Sequence, residues 1–168
     1  MGLKSFSTQD LTKIGIMAAL AAVCTTISFP FTLTGGYFNL GDIIVVTSAL
    51  LFGPIIGGLS GGIGSAIADI YLGYGYFAPY TLVVKGLEGF VVGYIGGRSE
   101  NTPNSQIIIA WIIGGLIIIA GYWIAEVVFL GLGAEYATAE ALTINVLQGI
   151  FSVVGIPLSK TIRKRITI

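Results

Sequence analysis

Histidine is absent from the 168 residues, and cysteine occurs once. The first absence excludes His-dependent catalysis. With a single thiol beside it, it also argues against a zinc or nickel centre, so no metal and no cofactor are expected. The second excludes a disulfide framework; Cys24 lies inside an apolar run and reads as a packed thiol. Charge is scarce as well. Asp, Glu, Lys and Arg make up 10% of the chain, against about 25% in soluble domains. Net charge is zero, which argues against nucleic-acid binding. What fills the chain instead is apolar: 55% hydrophobic residues and a mean hydropathy of +0.94. The expected class is an all-α integral membrane protein, because the apolar runs are long and continuous, whereas barrel strands alternate over about 10 residues.

Six spans are expected within one transmembrane domain covering residues 1–168: about 10–29, 42–56, 57–72, 79–97, 105–130 and 140–162. The first is read as a retained span, since no clear cleavage site precedes a polar start. The second and third share one run from Ile43 to Leu72, too long for one comfortable span. "FGPIIGGLSGGIG" inside it carries helix breakers at Gly53-Pro54 and Gly57-Gly58. Charge supports the division. Lys4 and Lys13 lie at one end of the chain, and Lys160, Arg163, Lys164 and Arg165 at the other. The positive-inside rule places both ends in the cytoplasm, which needs an even number of crossings. Arg98 then falls in a cytoplasmic loop, and the loops at 30–41, 73–78 and 131–139, without Lys or Arg, fall outside.

Small residues recur four apart. Gly15/Ala19 and Ala18/Ala22 mark the first span, and Gly89, Gly93 and Gly97 the fourth. Such spacing lets backbones approach closely in lipid. The first-span face reads either as internal packing or as a docking face for another membrane protein; the fourth-span stripe reads as internal packing.

Polar groups inside the spans point to function, because a charge at the bilayer centre costs roughly 2.5–3.5 kcal/mol on insertion scales. The fourth span aligns Thr81, Lys85 and Glu88 at i, i+4, i+7. The third offers Ser65 and Asp69, the fifth Tyr122, Trp123 and Glu126, the sixth Asn145, Gln148 and Ser152. In the six-span topology these stripes meet in the outer half of the membrane, below loops that hold Tyr37, Phe38, Asn39, Tyr74, Tyr76 and Phe77. Aromatic walls with a few placed polar groups describe a small-molecule pocket. The expected substrate-binding residues are Asn39, Tyr74, Lys85, Glu88, Trp123, Glu126, Asn145 and Gln148. A structural Lys85–Glu88 ion pair and an Asp42 helix cap are the bland alternatives for those groups.

"GGYFNLGD", "ALLFGPIIGGLSGGIGSAIADI" and "GYFAPYTLVVKGLEGFVVGYIGG" resemble the substrate-binding S components of energy-coupling factor (ECF) vitamin transporters of prokaryotic plasma membranes. The likeness is strong from about Ile14 to Arg98 and follows by topology beyond. It implies a six-helix bundle with cytoplasmic ends, capture of a vitamin or precursor near the outer face, and a gate in the loop after the first span. It implies a transmembrane T component, docked at Ala18 and Ala22, and two ATPase subunits; the chain itself is then no enzyme. It also implies that the subunit topples in the membrane to carry its ligand inward. The carboxylates suit an aminopyrimidine edge, which favours hydroxymethylpyrimidine, thiamine or pyridoxine-like ligands, with riboflavin close behind. Two other classes remain open on the residues alone: a stand-alone channel or secondary transporter with Lys85 and Glu88 as an ion or proton relay, and an intramembrane carboxylate enzyme built on Asp69 and Glu88.

Overall fold

The computed structural model describes residues 6–30, 36–97, 99 and 101–165. Lys4, Arg98 and the start of the "GGYFNLGD" motif at Gly35 lie outside the described residues. Six helices form an all-α membrane bundle. Helix α1 (Thr8–Thr26) opens with a reciprocal cap: the Asp10 N–H donates to the Ser7 hydroxyl at 3.1 Å, and the Ser7 N–H donates to the Asp10 carboxylate at 3.2 Å. A short hairpin follows. Strand β1 (Ser28–Pro30) pairs antiparallel with β2 (Tyr37–Asn39), with Phe29 opposite Phe38. Then come α2 (Gly41–Phe52), α3 (Pro54–Leu72), α4 (Ala78–Gly96), α5 (Asn104–Phe129) and α6 (Ala134–Arg163).

The α2–α3 break falls at Gly53, earlier than the expected 56/57 division. Gly53 has φ +88°, a conformation glycine adopts without a Cβ penalty, and Pro54 starts α3 at a position where its missing N–H costs nothing. Helix α6 starts at Ala134, one and a half turns before the expected 140, so the outer loop is shorter than the sequence implied. Helices α3, α5 and α6 are long and apolar enough to cross a membrane by length and composition. Helix α2 has 12 residues and rises only about 18 Å, less than the roughly 30 Å hydrocarbon core. It survives because most of it is buried inside the bundle.

Glycine sets the closest approach. A side chain at Gly89 of α4 would meet the Gly57 carbonyl carbon of α3 at 2.7 Å, so these two backbones touch. Packing at the opposite end from the hairpin centres on Val46, Ala49, Leu50, Val92 and Ile107. Outside, Ile108, Ile109, Ile112 and Leu116 of α5 are exposed, with Ile67, Ile70 and Tyr94 elsewhere on the girth. A belt of this kind belongs against lipid tails. Lys13, Lys160, Arg163, Lys164 and Arg165 gather at one end of the bundle, which the positive-inside rule assigns to the cytoplasm; the hairpin and the α3–α4 and α5–α6 turns lie at the other.

Candidate functional site at the outer end of the bundle

Beneath the hairpin is a cavity of about 50 Å³. It is lined by Gly36, Tyr37 and Asn39 of the hairpin region and by Asp69 near the end of α3. The α3–α4 turn and the start of α4 add Tyr74, Phe77 and Thr81; α5 adds Tyr122 and Glu126; α6 adds Glu140, Ile144, Asn145 and Gln148. Local backbone chemistry explains how some of these side chains are presented. Gly73, at φ +87°, ends α3 in the left-handed conformation and donates to the carbonyls of Asp69 and Ile70, which turns Tyr74 back over the helix end. Two stretches of wider π-helical winding occur at Ala125–Phe129 and Ala141–Asn145. The first carries Glu126 and the second ends at Asn145. Such turns tend to occur at functional sites, because they trade regular hydrogen bonding for a redirected side chain.

The polar atoms are only partly satisfied. The Tyr37 hydroxyl donates to one oxygen of Asp69, and the Thr81 hydroxyl lies within reach of the same carboxylate. Burial and the adjacent Asp69 carboxylate push the Tyr37 phenol far above its ordinary range, so it stays a donor. Tyr136 donates to Glu140 at 2.9 Å, and Tyr122 donates to Thr81 at 3.1 Å. Asn39 accepts from the Gly41 N–H at 2.9 Å, just before the first turn of α2, which commits its carbonyl oxygen. Glu126 and Glu140 are neighbouring side chains, close enough for their carboxyl groups to interact directly. Glu126 Oε2 and Asn145 Nδ2 are buried without a hydrogen-bond partner. Burying such groups unpaired costs about 1–3 kcal/mol each, a cost that a ligand bond would offset. Around them Tyr37 and Tyr74 face each other, ring centroids 4.8 Å apart. Among the described residues, no group of three or more His, Cys, Asp or Glu side chains is arranged to hold a metal ion.

Of the expected site residues, Asn39, Tyr74, Glu126, Asn145 and Gln148 line this cavity. Three do not. Lys85 is deeper in the bundle, 2% exposed, and pairs with Asp42 of α2; its Nζ sits 5.5 Å from the centre of the Tyr122 ring. This corrects both bland alternatives. The ion pair joins Lys85 to Asp42 rather than to Glu88, because the first turn of α2 abuts the middle of α4. Asp42 is therefore not the cap of α2, a position taken by Leu40. Glu88 is fully buried beside that pair and feels the charges of both partners. Trp123 turns away from the cavity and donates to Thr138 at 3.2 Å, since one residue along a helix rotates it about 100° from Tyr122. Ser152 likewise serves structure, accepting from Trp111 at 3.0 Å.

The expected docking pair, Ala18 and Ala22, differs in exposure. Ala18 is buried against α3, where a side chain at Gly64 would strike its carbonyl oxygen, while Ala22 is half-buried. The exposed small residues of α1 are Gly15 and Ala19. The residue that sequence reasoning placed least well is Glu140, read as the start of a helix. Its spacing with Ile144 and Gln148, at i, i+4 and i+8, is the signal that it shares their face.

The geometry describes a membrane bundle with an acidic, aromatic cavity at its outer end and no catalytic constellation among the lining residues. The family model for the S component of ECF-type riboflavin transporters matches residues 5–164. The chain belongs to that family, and it is a membrane transport subunit, the substrate-binding S component of an ECF transporter. An uncharacterized protein from the gap 3'region of Pyrococcus woesei is 36% identical over 149 residues, covering 88% of this chain and 97% of its own. A UPF0397 protein of Streptococcus pneumoniae is 36% identical over 88 residues, covering 52% of this chain and 48% of its own length, so the match spans about half of that relative. A solved structure described as the S component of a bacterial ECF transporter superposes with a TM-score of 0.69, at 19% identity, over 95% of this chain and 98% of that one, which speaks to the fold.

Proposed function

We propose that this subunit captures a small heteroaromatic vitamin or vitamin precursor in the cavity beneath the hairpin and delivers it inward together with a T component and two ATPase subunits in a prokaryotic plasma membrane. The observation that carries the reading is the pair of buried polar atoms without partners, on Glu126 and Asn145, in one cavity that tyrosine and phenylalanine rings also line. Ligand sites combine apolar walls with a few placed polar groups in this way. Hydroxymethylpyrimidine-, thiamine- and pyridoxine-like compounds and riboflavin are the candidate ligands. The family's name supports riboflavin, and the carboxylates support an amino-substituted ring.

At about 50 Å³ the cavity is smaller than a ring system needs; ligand pockets run roughly 300–1,000 Å³. Binding therefore requires the hairpin to move outward. It is held by the Tyr37–Asp69 hydrogen bond and by Gly36 packed against Glu140. In this reading the hairpin is the gate.

The test is calorimetric titration of the purified, ligand-stripped chain with water-soluble vitamins and precursors, followed by uptake in cells with and without the T component and ATPases. Saturable one-to-one binding of one compound, and uptake that needs the partners, is the expected result. Uptake into liposomes by the chain alone would overturn the proposal in favour of a stand-alone transporter.

A further inference from the structure

We infer that the ligand carries a positive charge and several N–H or O–H donors, and that carboxylate- and phosphate-bearing compounds are excluded. The inference rests on the binding-subunit reading and narrows its ligand class. The cavity wall holds three carboxylates, Asp69, Glu126 and Glu140, and among the described residues no Lys or Arg lines it. Lys85 is the one cation among the described buried side chains, and it is already paired with Asp42 behind the Tyr122 ring. Among the described residues, no positive side chain on the wall is left to meet a ligand anion.

The hydrogen-bond inventory has the same sign. Glu126 Oε2 is a buried acceptor without a donor, and Glu126, 1% exposed, lies beside the Glu140 side chain. A ligand cation beside Glu126 supplies the missing donor and meets an acidic wall; an anion brings like charge against that wall in a dry site. One buried donor faces the other way. Asn145 Nδ2, on a side chain 3% exposed, has no acceptor and is placed for a ring nitrogen or hydroxyl oxygen. The wall also contains Tyr37, Tyr74 and Tyr122, and aromatic rings attract a cation as well as stacking on a ring. The ligand defined by these groups is a cationic or amine-bearing heteroaromatic with one acceptor edge.

Calorimetry on the full ligand-stripped chain, with probes sorted by charge, tests this: thiamine and pyridoxamine as cations, riboflavin as a neutral ring, and flavin mononucleotide and pyridoxal phosphate as anions. The expected result is saturable binding of a cationic probe, none of the phosphorylated pair, and a tenfold or greater loss in Glu126→Gln and in Glu140→Gln. Glu126→Asp, which keeps the charge, should retain the cation preference, and an unchanged thermal midpoint in the Gln variants shows that they fold. Tightest binding by a neutral or phosphorylated probe, unaffected by Glu126→Gln, would overturn the cation inference and leave the binding-subunit reading intact. Binding of sodium, potassium or magnesium ions that Glu126→Gln abolishes, with no organic cation bound, would also overturn it and assign the carboxylates to an inorganic ion. Failure of every probe to bind would overturn both readings.

Discussion

The Asp42–Lys85–Glu88 cluster and the Asp69–Glu126–Glu140 cluster are both buried and both acidic, yet they are built differently. The first contains its own cation: Lys85 comes from α4 to meet Asp42 from α2. The second has none among the described residues, borders the cavity, and draws its partners from hydroxyl groups that satisfy it only in part. Charge inside a membrane bundle is thus of two kinds. A cluster with its counter-ion inside holds helices together, and a cluster lacking one is poised for something that arrives from outside. Position agrees with this division. The first lies among close-packed helices, and the second lies under a three-residue-strand hairpin that has few anchors.

Substitutions separate the two clusters, and the largest effect belongs to the first. Lys85→Met should strand Asp42 and Glu88 without a cation and destabilise the bundle by about 3–5 kcal/mol, the range for breaking a buried pair from one side. A fall in the detergent unfolding midpoint checks it; a stable Lys85→Met that has lost only ligand binding would move Lys85 into the site. Next, Gly89→Val should force α3 and α4 apart and cost about 1–3 kcal/mol or more, because the added atoms meet backbone. The readout is the same midpoint, with Gly75→Ala, a position with open space around it, as the small-effect control.

In the second cluster the expected change is in affinity. Asn145→Ala should weaken ligand binding about tenfold, or about 1.4 kcal/mol, while shifting the unfolding midpoint little, since the amide nitrogen it removes has no protein partner. Tyr37→Phe should release one anchor of the hairpin and speed ligand dissociation severalfold; stopped-flow kinetics would show it, and an unchanged rate would argue that the hairpin is not the gate. The smallest effect is expected from Trp123→Phe. Its indole bond to Thr138 lies away from the cavity, so ligand affinity should change less than twofold. A large loss would return Trp123 to the site.

The bundle itself was legible, because lipid demands long apolar helices and the few charges then show where the ends lie. The outer level of the site followed from the same topology: Asn39, Tyr74, Glu126, Asn145 and Gln148 come from four separate segments and meet around one cavity. What was not legible depends on rotation and on contacts between helices. Lys85 is one turn from Glu88 along α4, and helical spacing favours that pair, yet tertiary packing brings Asp42 closer to it. Trp123 differs from Tyr122 by one residue and therefore by about 100°, which is enough to leave the cavity. Glu140 was obscured because α6 begins earlier than its polar first turn suggests, and because the wider turn after it changes the phase of the stripe. On α1, spacing identified two small-residue stripes, and only the packing against Gly64 shows that Ala18 faces inward.

The basic end of the molecule offers a sharp control. A crevice of about 360 Å³ lies there between the α4–α5 turn and the end of α6, lined by Lys160, Arg163 and Lys164. It is larger than the outer cavity and opposite to it in charge. Hydrogen–deuterium exchange of the full chain, with and without a saturating ligand from the titration panel, distinguishes the two. Protection concentrated at residues 36–40 and 73–78 and at the start of α6 is the predicted result. Protection confined to residues 96–104 and 159–165 would contradict the central claim that the substrate is held beneath the hairpin.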